Sequence, residues 1–224
     1  MRRYVTPLNL YLSAAVLVQI GYWYLGSPGP TLLNNAPRTL LSAVINIAWA
    51  LLFLLVVPAA LLLWRGDLGR TSFAFGNWRI GLPLTAGLGV VLAGVIYLGS
   101  GDVALQQTYP WAGTWPGMSV WHFAAWAGLY ALYYVAFEFF YRGFVIVVLE
   151  PHWGLIAAVW TQVLLSTLIH VGKPLTETLA AFPAGFLFAF VALRTRSLLW
   201  PVLLHLVIGL VTDASVLGRQ GLLW

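Results

Sequence analysis

Long apolar runs, separated by short turns that contain polar residues, glycine or proline, make up nearly the whole chain. A helix needs about 20 mostly apolar residues to cross ~30 Å of hydrocarbon. Seven runs approach or exceed that length, and they cover about 8–25, 39–64, 82–100, 119–149, 154–171, 177–194 and 197–217. The pattern therefore predicts an all-α, polytopic transmembrane helical bundle of about seven membrane-spanning helices, which forms a single integral-membrane domain over residues 1–224.

The composition agrees with this pattern and excludes several classes of protein. Hydrophobic residues make up 61% of the chain, charged residues 8%, and the mean hydropathy is +0.89. A water-soluble domain could not bury that much apolar surface, so membrane lipids are the expected surroundings. The 11 basic residues are spread over turns instead of forming one face, so no nucleic acid is expected as a partner. The lack of cysteine excludes disulfides, thiolate metal sites and a cysteine nucleophile.

The distribution of basic residues predicts the orientation of the chain. With the N-terminus inside, seven basic residues lie on the inner side and three on the outer side. The inner set is Arg2, Arg3, Arg65, Arg70, Arg79, Arg194 and Arg196, and the outer set is Arg38, Lys173 and Arg219. We therefore expect a plasma-membrane protein, of bacterial type, with a cytoplasmic N-terminus. The first apolar run lacks an A-x-A cleavage pattern, so it is expected to be a retained helix.

Ionisable residues inside the apolar runs are the candidates for function. A charge at membrane depth costs several kcal/mol unless it is paired or faces a wet cavity. Glu138 and Arg142 lie four residues apart in the fourth run, so they can pair on one helix face. His170 lies near the end of the fifth run, and His205 and Asp213 lie along one face of the seventh. We expect these three segments to converge on one polar site within the membrane.

Each of these residues also has a purely structural interpretation. Glu138 and Arg142 could form an ion pair that only stabilises the bundle. A lone His170 near a helix end is more often an interfacial or hydrogen-bonded histidine than a catalyst, and Asp213 near the end of its run could simply be solvated. The combination of carboxylates and histidines in neighbouring runs favours function more than any single residue does.

The second half of the chain resembles the CPBP family of intramembrane proteases, named for CAAX proteases and bacteriocin processing and also called Abi. The motifs of that family read E-E-x-x-x-R, F-x-x-x-H and H-x-x-x-N or H-x-x-x-D on successive membrane helices. Here Glu138 and Arg142 match the end of the first motif, His170 the second and His205 the start of the third. The resemblance covers about residues 119–217, and the preceding helices resemble the family only in being hydrophobic.

Three positions depart from the motifs of the family: Phe137 replaces the first glutamate, Ser166 the phenylalanine and Gly209 the asparagine or aspartate. The resemblance implies that the first glutamate and the second-motif histidine activate the attacking water, and that the last histidine and its asparagine bind the oxyanion. This chain therefore lacks the usual base position and one oxyanion donor. Either Glu138 takes over as base, with Asp213 supplying a substitute polar group, or the fold is kept without the chemistry.

The needs of peptide hydrolysis define the expected roles. The reaction requires a water made nucleophilic by a base or a metal, and a donor for the developing oxyanion. Glu138 would be the base, oriented by Arg142. His170 would hold the water or share its proton, and His205 would donate to the oxyanion. In a second version of the site, Glu138, His170 and His205 hold a divalent metal such as zinc with an open fourth position.

Three functions follow as hypotheses from this reading. The leading one is an intramembrane endopeptidase that hydrolyses a membrane-bound, prenylated or leader-type peptide with a glutamate/histidine-activated water. The alternative is a non-catalytic scaffold or assembly subunit of a larger membrane complex, in which Glu138 and Arg142 are a structural pair. A proton-coupled carrier with Glu138 and His170 as a relay is third, because the sequence shows no internal repeat.

Overall fold

The computed structural model describes residues 7–26, 30–31, 34–35 and 37–224, most of which are helical. The helices are α1 (Pro7–Gly26), α2 (Leu40–Ala50), α3 (Val57–Arg65), α4 (Trp78–Gly99), α5 (Val103–Thr108), α6 (Val120–Glu138), α7 (Ile146–Leu168), α8 (Leu175–Thr195) and α9 (Leu199–Arg219). Two π-helical segments, Leu51–Val56 and Phe139–Val145, join α2 to α3 and α6 to α7. Strands β1 (Pro30–Thr31) and β2 (Asn34–Asn35) form one short antiparallel pairing. The predicted all-α helical bundle is confirmed.

Among the described residues, six helices are long and apolar enough to cross a membrane, compared with about seven in the prediction. The difference arises in Val120–Leu168, a stretch of 49 residues that the sequence pattern divides at Pro151 and that counts as one span although it contains a kink between two helices. Gly154 interrupts this stretch with φ 80° and ψ 163°, values that glycine adopts far more readily than other residues. Arg2 and Arg3, which support the predicted cytoplasmic N-terminus, lie outside the described residues, so the orientation stays a prediction.

The stretch Val120–Leu168 forms the centre of the molecule. Its most apolar window is 89% buried, whereas the windows of the other spanning helices are between 17% and 44% buried. Helices α2 and α9 pack against α6, and α1 packs on α2. Helix α8 packs along α7, and α4 packs along α9. The outer helices therefore present apolar side chains to the surroundings, as expected where lipid is the solvent.

The turn between α8 and α9 sets the position of the last helix. Arg196 adopts the left-handed conformation, with φ 54° and ψ 41°, and ends α8. One turn later, the Trp200 indole donates a 2.8 Å hydrogen bond to the carbonyl of Phe75. The same ring lies against Gly81 on α4 so closely that a Cβ at that position would overlap it. These contacts fix the first turns of α9, from which His205 projects inward.

Candidate functional site

Glu138 and Arg142 form the predicted ion pair at the junction of α6 with the π-helical segment. Glu138 is fully buried, and its Oε2 lies 3.3 Å from Nε of Arg142. The second contact, from Nη1 of Arg142 to Oε1, is 3.4 Å long, so the pair is held by charge more than by good hydrogen-bond geometry. The Arg142 guanidinium also lies 5.1 Å from the ring centre of Phe188. A π-helical segment beside two buried charges is typical of a functional position.

His205 is oriented by Glu138. Its Nδ1 lies 2.6 Å from Oε1 of the carboxylate, and because a carboxylate only accepts, Nδ1 carries the hydrogen and donates it. The imidazole is stacked on the Tyr134 ring, with the ring centres 4.2 Å apart. The Phe188 ring is tilted against it at 4.7 Å, and the Phe137 ring is nearly perpendicular to it at 5.1 Å between centres. The hydrogen bond and the three rings fix the ring plane, so Nε2 is the nitrogen left for other partners.

His170 lies in the connection between α7 and α8, two residues beyond the end of the helix. Its Nδ1 is 2.7 Å from the carbonyl oxygen of Ser166, and its own carbonyl accepts 2.8 Å and 3.0 Å hydrogen bonds from the Thr178 hydroxyl and the Lys173 amide. Burial, together with the nearby Lys173 ammonium, lowers the pKa of His170 to about 3. The imidazole is therefore neutral at physiological pH.

Both histidines line one cavity of about 650 Å³. Phe137 lies on its wall between them, with ring centres 6.1 Å from His170 and 5.1 Å from His205. Helices α4 and α8 complete the opposite wall with apolar side chains, among them Leu92, Val95, Ala184 and Leu187. The structure therefore brings the two predicted histidines to a common hollow, with an apolar ring at the position of the missing first glutamate.

Three of the predicted site residues, Glu138, Arg142 and Asp213, do not line this cavity. Glu138 lies behind His205, completely enclosed. Asp213 is also fully buried and accepts a 2.7 Å hydrogen bond from the Trp126 indole through Oδ2, while Oδ1 has no partner. Asp213 is bonded to Trp126 and is not among the residues that line the cavity, so its role as a substitute polar group after His205 stays a prediction. Gly209 itself lines the cavity.

The predicted zinc ligand set is not assembled in this structure. Glu138 and His205 are in contact, but His170 makes its contacts elsewhere, with Ser166 and α8. Among the described residues, no group of three or more histidine, aspartate and glutamate side chains is placed to hold a metal ion. In this arrangement Glu138, His170 and His205 are not placed to share one metal ion, so the structure gives no support to the divalent metal, which stays a prediction.

The sequence reasoning missed a second polar cluster at the cavity wall. Glu177, in the first turn of α8, accepts hydrogen bonds at Oε1 of 2.9 Å from the Lys173 ammonium and 2.7 Å from the Tyr109 hydroxyl. The same oxygen is 3.8 Å from Nε2 of His170. The four-residue spacing of Lys173 and Glu177, directly after His170, was the signal available.

Tyr134 is the other residue that the sequence reasoning missed. Trp126, Tyr130, Tyr134 and Glu138 recur at four-residue intervals on α6, which places them on one face of that helix. The same face leads from the aromatic core to the buried ion pair and the cavity. A stripe of aromatic residues reads as helix packing from the sequence alone, so only the structure distinguishes Tyr134 from its neighbours.

Comparison with known proteins agrees with this geometry. Residues 119–211 match the family model described as Type II CAAX prenyl endopeptidase Rce1-like. No curated protein and no solved structure matches the chain. The matched segment contains the ion pair and both histidines of the cavity. In this segment the chain is therefore similar to Rce1-like CAAX prenyl endopeptidases, in agreement with the resemblance of its motifs to the CPBP family.

Proposed function

We propose that the chain is an intramembrane endopeptidase that hydrolyses a membrane-bound peptide in the cavity between α4, α6, α8 and α9. The observation that carries this proposal is the placement of His205, backed by Glu138, and of neutral His170 on the wall of one hollow. The family match over residues 119–211 supports the same reaction class.

The two histidines supply complementary proton transfers. His170 has a hydrogen on Nδ1, so its Nε2 is an acceptor that takes the proton of the attacking water. The water oxygen bonds to the peptide carbonyl carbon, the C–N bond breaks, and the leaving amine takes up a proton. His205 donates that proton from Nε2 in its imidazolium form, which the Glu138 carboxylate stabilises. At the end of the cycle His170 releases the proton that it took from the water, and His205 takes up a proton again.

In this proposal Glu138 acts through His205 and does not itself accept a proton from the water. Its carboxylate is fully buried and has the Arg142 guanidinium on one side and the His205 imidazole on the other. The Arg142 guanidinium is the opposite charge that offsets this carboxylate in an apolar environment, where an unpaired charge would be very costly. The role predicted from the sequence, with Glu138 as direct base, is the competing version of the mechanism.

The cavity shape indicates the kind of substrate. Its polar side chains, among them His170, Glu177 and His205, share the lining with apolar side chains from α4 and α8, such as Leu92, Val95 and Leu187. An apolar wall beside the reacting groups suits a peptide that carries lipid or apolar side chains and is presented from the membrane. The membrane-bound, prenylated or leader-type peptide expected from the sequence fits this shape.

One observation favours the non-catalytic alternative. Phe137 places an apolar ring between the two histidines, where a carboxylate would activate water, and its ring is nearly inaccessible. A scaffold that has lost the reaction would tolerate such a ring. In that case the protein would be recovered with a membrane partner whose association survives His170→Ala.

The test is cleavage in proteoliposomes of farnesylated, geranylgeranylated and unmodified fluorogenic decapeptides by wild-type, His205→Ala and His170→Ala proteins. The proposal expects cleavage by the wild type and loss of cleavage in both variants, with all three proteins inserted and folded. Cleavage by either variant at the wild-type rate, or no cleavage by the wild type, would remove the proposal. His122→Ala is the matched control, because His122 is bonded to Ser119 and does not line the cavity.

A further inference from the structure

Glu177 is a cavity carboxylate for which neither the motif resemblance nor the proposed mechanism gives a role. It lies in the first turn of α8, on the cavity wall, and its Oε1 is 3.8 Å from Nε2 of His170. That separation is too long for a hydrogen bond and too short for the two groups to be independent. Whether Nε2 of His170 or the Glu177 carboxylate has a hydrogen decides whether the two groups can bond to each other or need a donor between them.

The tautomer of His170 leaves no hydrogen in this gap. A backbone carbonyl only accepts, so the 2.7 Å contact with Ser166 places the ring hydrogen on Nδ1. Because burial keeps the ring neutral, Nε2 has a lone pair. The Glu177 carboxylate is also an acceptor, so two acceptors face each other across the gap, and one of them, Oε1, is already fixed by two donors.

Two donors hold the Glu177 carboxylate in place. Lys173 and Tyr109 both bond to Oε1, and the Lys173 ammonium lies 5.1 Å from the ring centre of Trp111. Burial and the neighbouring Glu177 carboxylate raise the pKa of Tyr109 well above 10, so its hydroxyl keeps its proton and donates. The other carboxylate oxygen, Oε2, has no protein partner. The carboxylate is therefore positioned, ionised by its ammonium partner, and has an acceptor free.

We propose, building on the endopeptidase function above, that Glu177 and His170 together hold the water that attacks the peptide. A water has two hydrogens, and it satisfies both acceptors when it donates one to the carboxylate and one to Nε2. When its oxygen bonds to the peptide carbonyl carbon, the second hydrogen passes to Nε2 of His170, and the Glu177 carboxylate stabilises the imidazolium. This assigns the activating carboxylate to α8 and not to α6, where Phe137 occupies the position of the first motif glutamate.

The kinetic test compares Glu177→Gln with Asp102→Asn in the proteoliposome assay. Asp102 is the matched control, because it also lines the cavity but is bonded to Thr176 and to the backbone of Ala104. We expect Glu177→Gln to lower kcat by about 100-fold with KM within about twofold, and Asp102→Asn to behave like wild type. A kcat for Glu177→Gln within threefold of the wild-type value, measured beside an active wild type, overturns the proposal and leaves the endopeptidase function standing.

Two additional variants guard against a purely structural effect. The double variant Lys173→Met/Glu177→Gln removes both charges, so a loss of kcat that persists in a folded protein belongs to the carboxylate and not to an unpaired ammonium. Phe137→Glu in the Glu177→Gln background returns a carboxylate to the wall between the histidines, and we expect it to recover at least tenfold of the lost kcat. Absence of any recovery, with the protein folded, counts against a carboxylate requirement at this water.

A second readout does not depend on turnover. A crystal structure at high resolution is expected to show an ordered oxygen within about 3.2 Å of both Nε2 of His170 and Oε1 or Oε2 of Glu177. A direct contact between these two groups, with no solvent oxygen between them, contradicts the proposal whatever the activity. If the wild type cleaves nothing, the endopeptidase function fails, and this readout still decides whether the pair holds a water.

A different observation supports a second proposal, which concerns Tyr134. Its hydroxyl lies against Gly209 so closely that a Cβ at residue 209 would overlap it. Tyr134 lines the cavity and is stacked on His205 at 4.2 Å. The phenol therefore occupies the space that a side chain one turn after His205 would fill. We infer that the Tyr134 hydroxyl donates a hydrogen bond to the developing oxyanion beside His205.

The test for Tyr134 uses a decapeptide in which a phosphinate replaces the scissile bond, because a phosphinate imitates the tetrahedral intermediate. Tyr134→Phe is expected to weaken phosphinate binding and to lower kcat by about 100-fold, with little change in substrate KM. Tyr133→Phe is the control, since Tyr133 also lines the cavity but faces Tyr22. Phosphinate affinity that is equal in wild type and Tyr134→Phe overturns the assignment.

Discussion

His205 and His170 line the same cavity, but the protein holds them in different ways. His205 donates to a carboxylate that lies behind it, which is fully buried and ion-paired with Arg142. His170 donates to a backbone carbonyl through Nδ1, and its Nε2 faces the Glu177 carboxylate, which lines the same cavity. In the first arrangement the carboxylate acts on the imidazole from behind, so it stabilises a charged ring. In the second it lies on the reacting side, so it orients whatever lies between.

The two carboxylates also differ in burial, and this difference sets the cost of changing them. Glu138 and the Arg142 side chain are 0% and 2% exposed, whereas Glu177 and Lys173 are 19% and 14% exposed. Breaking a fully buried pair leaves an uncompensated charge in an apolar environment, at a cost of about 3–5 kcal/mol. Breaking the more exposed pair of Lys173 and Glu177, which lies beside the cavity, should cost less free energy of unfolding. The His205 side should therefore be the more fragile and the His170 side the more easily tested by kinetics.

Removal of the His205 imidazole is expected to have the largest effect on activity. His205→Ala should lower kcat/KM by ~10³-fold or more, because both the proton donor and the group that Glu138 orients are lost. The measurement is initial-rate cleavage in proteoliposomes. A variant that keeps more than a tenth of wild-type kcat/KM would show that the His205 side is only structural.

Glu138→Gln is expected to show both a kinetic and a structural loss. Turnover should fall ~10²-fold, and the free energy of unfolding in mixed micelles should drop by about 3–5 kcal/mol, because Arg142 is left buried without a carboxylate. Glu138→Gln/Arg142→Met should recover most of the stability without recovering turnover. Recovery of turnover in the double variant would mean that the carboxylate contributes to folding alone.

A methyl group at Gly209 tests how tightly the His205 side is packed. Gly209→Ala should destabilise the protein by about 1–3 kcal/mol, because the new Cβ would overlap the Tyr134 hydroxyl and must displace it. Gly128→Ala, on α6, has no neighbour within 4 Å of the added Cβ and should be neutral or slightly stabilising. Equal unfolding free energies for the two variants would contradict the close Tyr134 packing.

The smallest expected effect is an absence of titration on the His170 side. With its pKa at about 3, His170 should keep the Nδ1–H tautomer, and its ¹⁵N resonances in labelled protein should stay constant from pH 5 to pH 8. His170→Ala assigns those resonances. An unfolded histidine titrates near 6.5, so the unfolded state binds more protons between about pH 3 and 6.5, and stability should fall as the pH falls through that window. A midpoint near 6.5 in the folded protein would contradict the buried, neutral ring.

The sequence predicted the helical membrane bundle and the polar site because both depend on local signals. Apolar length predicts the spans, and the four-residue spacing of Glu138 and Arg142 predicts their contact. The position of each residue along its own helix did not predict the hydrogen bond between His205 and Glu138, because that contact depends on how α9 packs on α6. The structure supplies this packing through the α8–α9 turn and Trp200.

The site residues that were not predicted from the sequence depend on contacts between different helices. Glu177 reads as a solvated residue at the start of an apolar run, and Tyr134 as one of several packing aromatics. Asp213 was expected at the cavity by its spacing from His205, but the structure buries it against Trp126. Spacing along one helix gives the face on which a residue lies, and it does not give the neighbour that covers that face.

The most direct test of the account is cleavage in water enriched in ¹⁸O, followed by mass spectrometry of the peptide products. Hydrolysis by the water in this cavity predicts that wild-type protein adds one ¹⁸O to the newly formed C-terminal carboxyl group, and that His205→Ala yields no labelled product above background. Absence of labelled product with the wild type, or equal labelling with His205→Ala, would contradict the claim that the two histidines of the cavity carry out peptide hydrolysis.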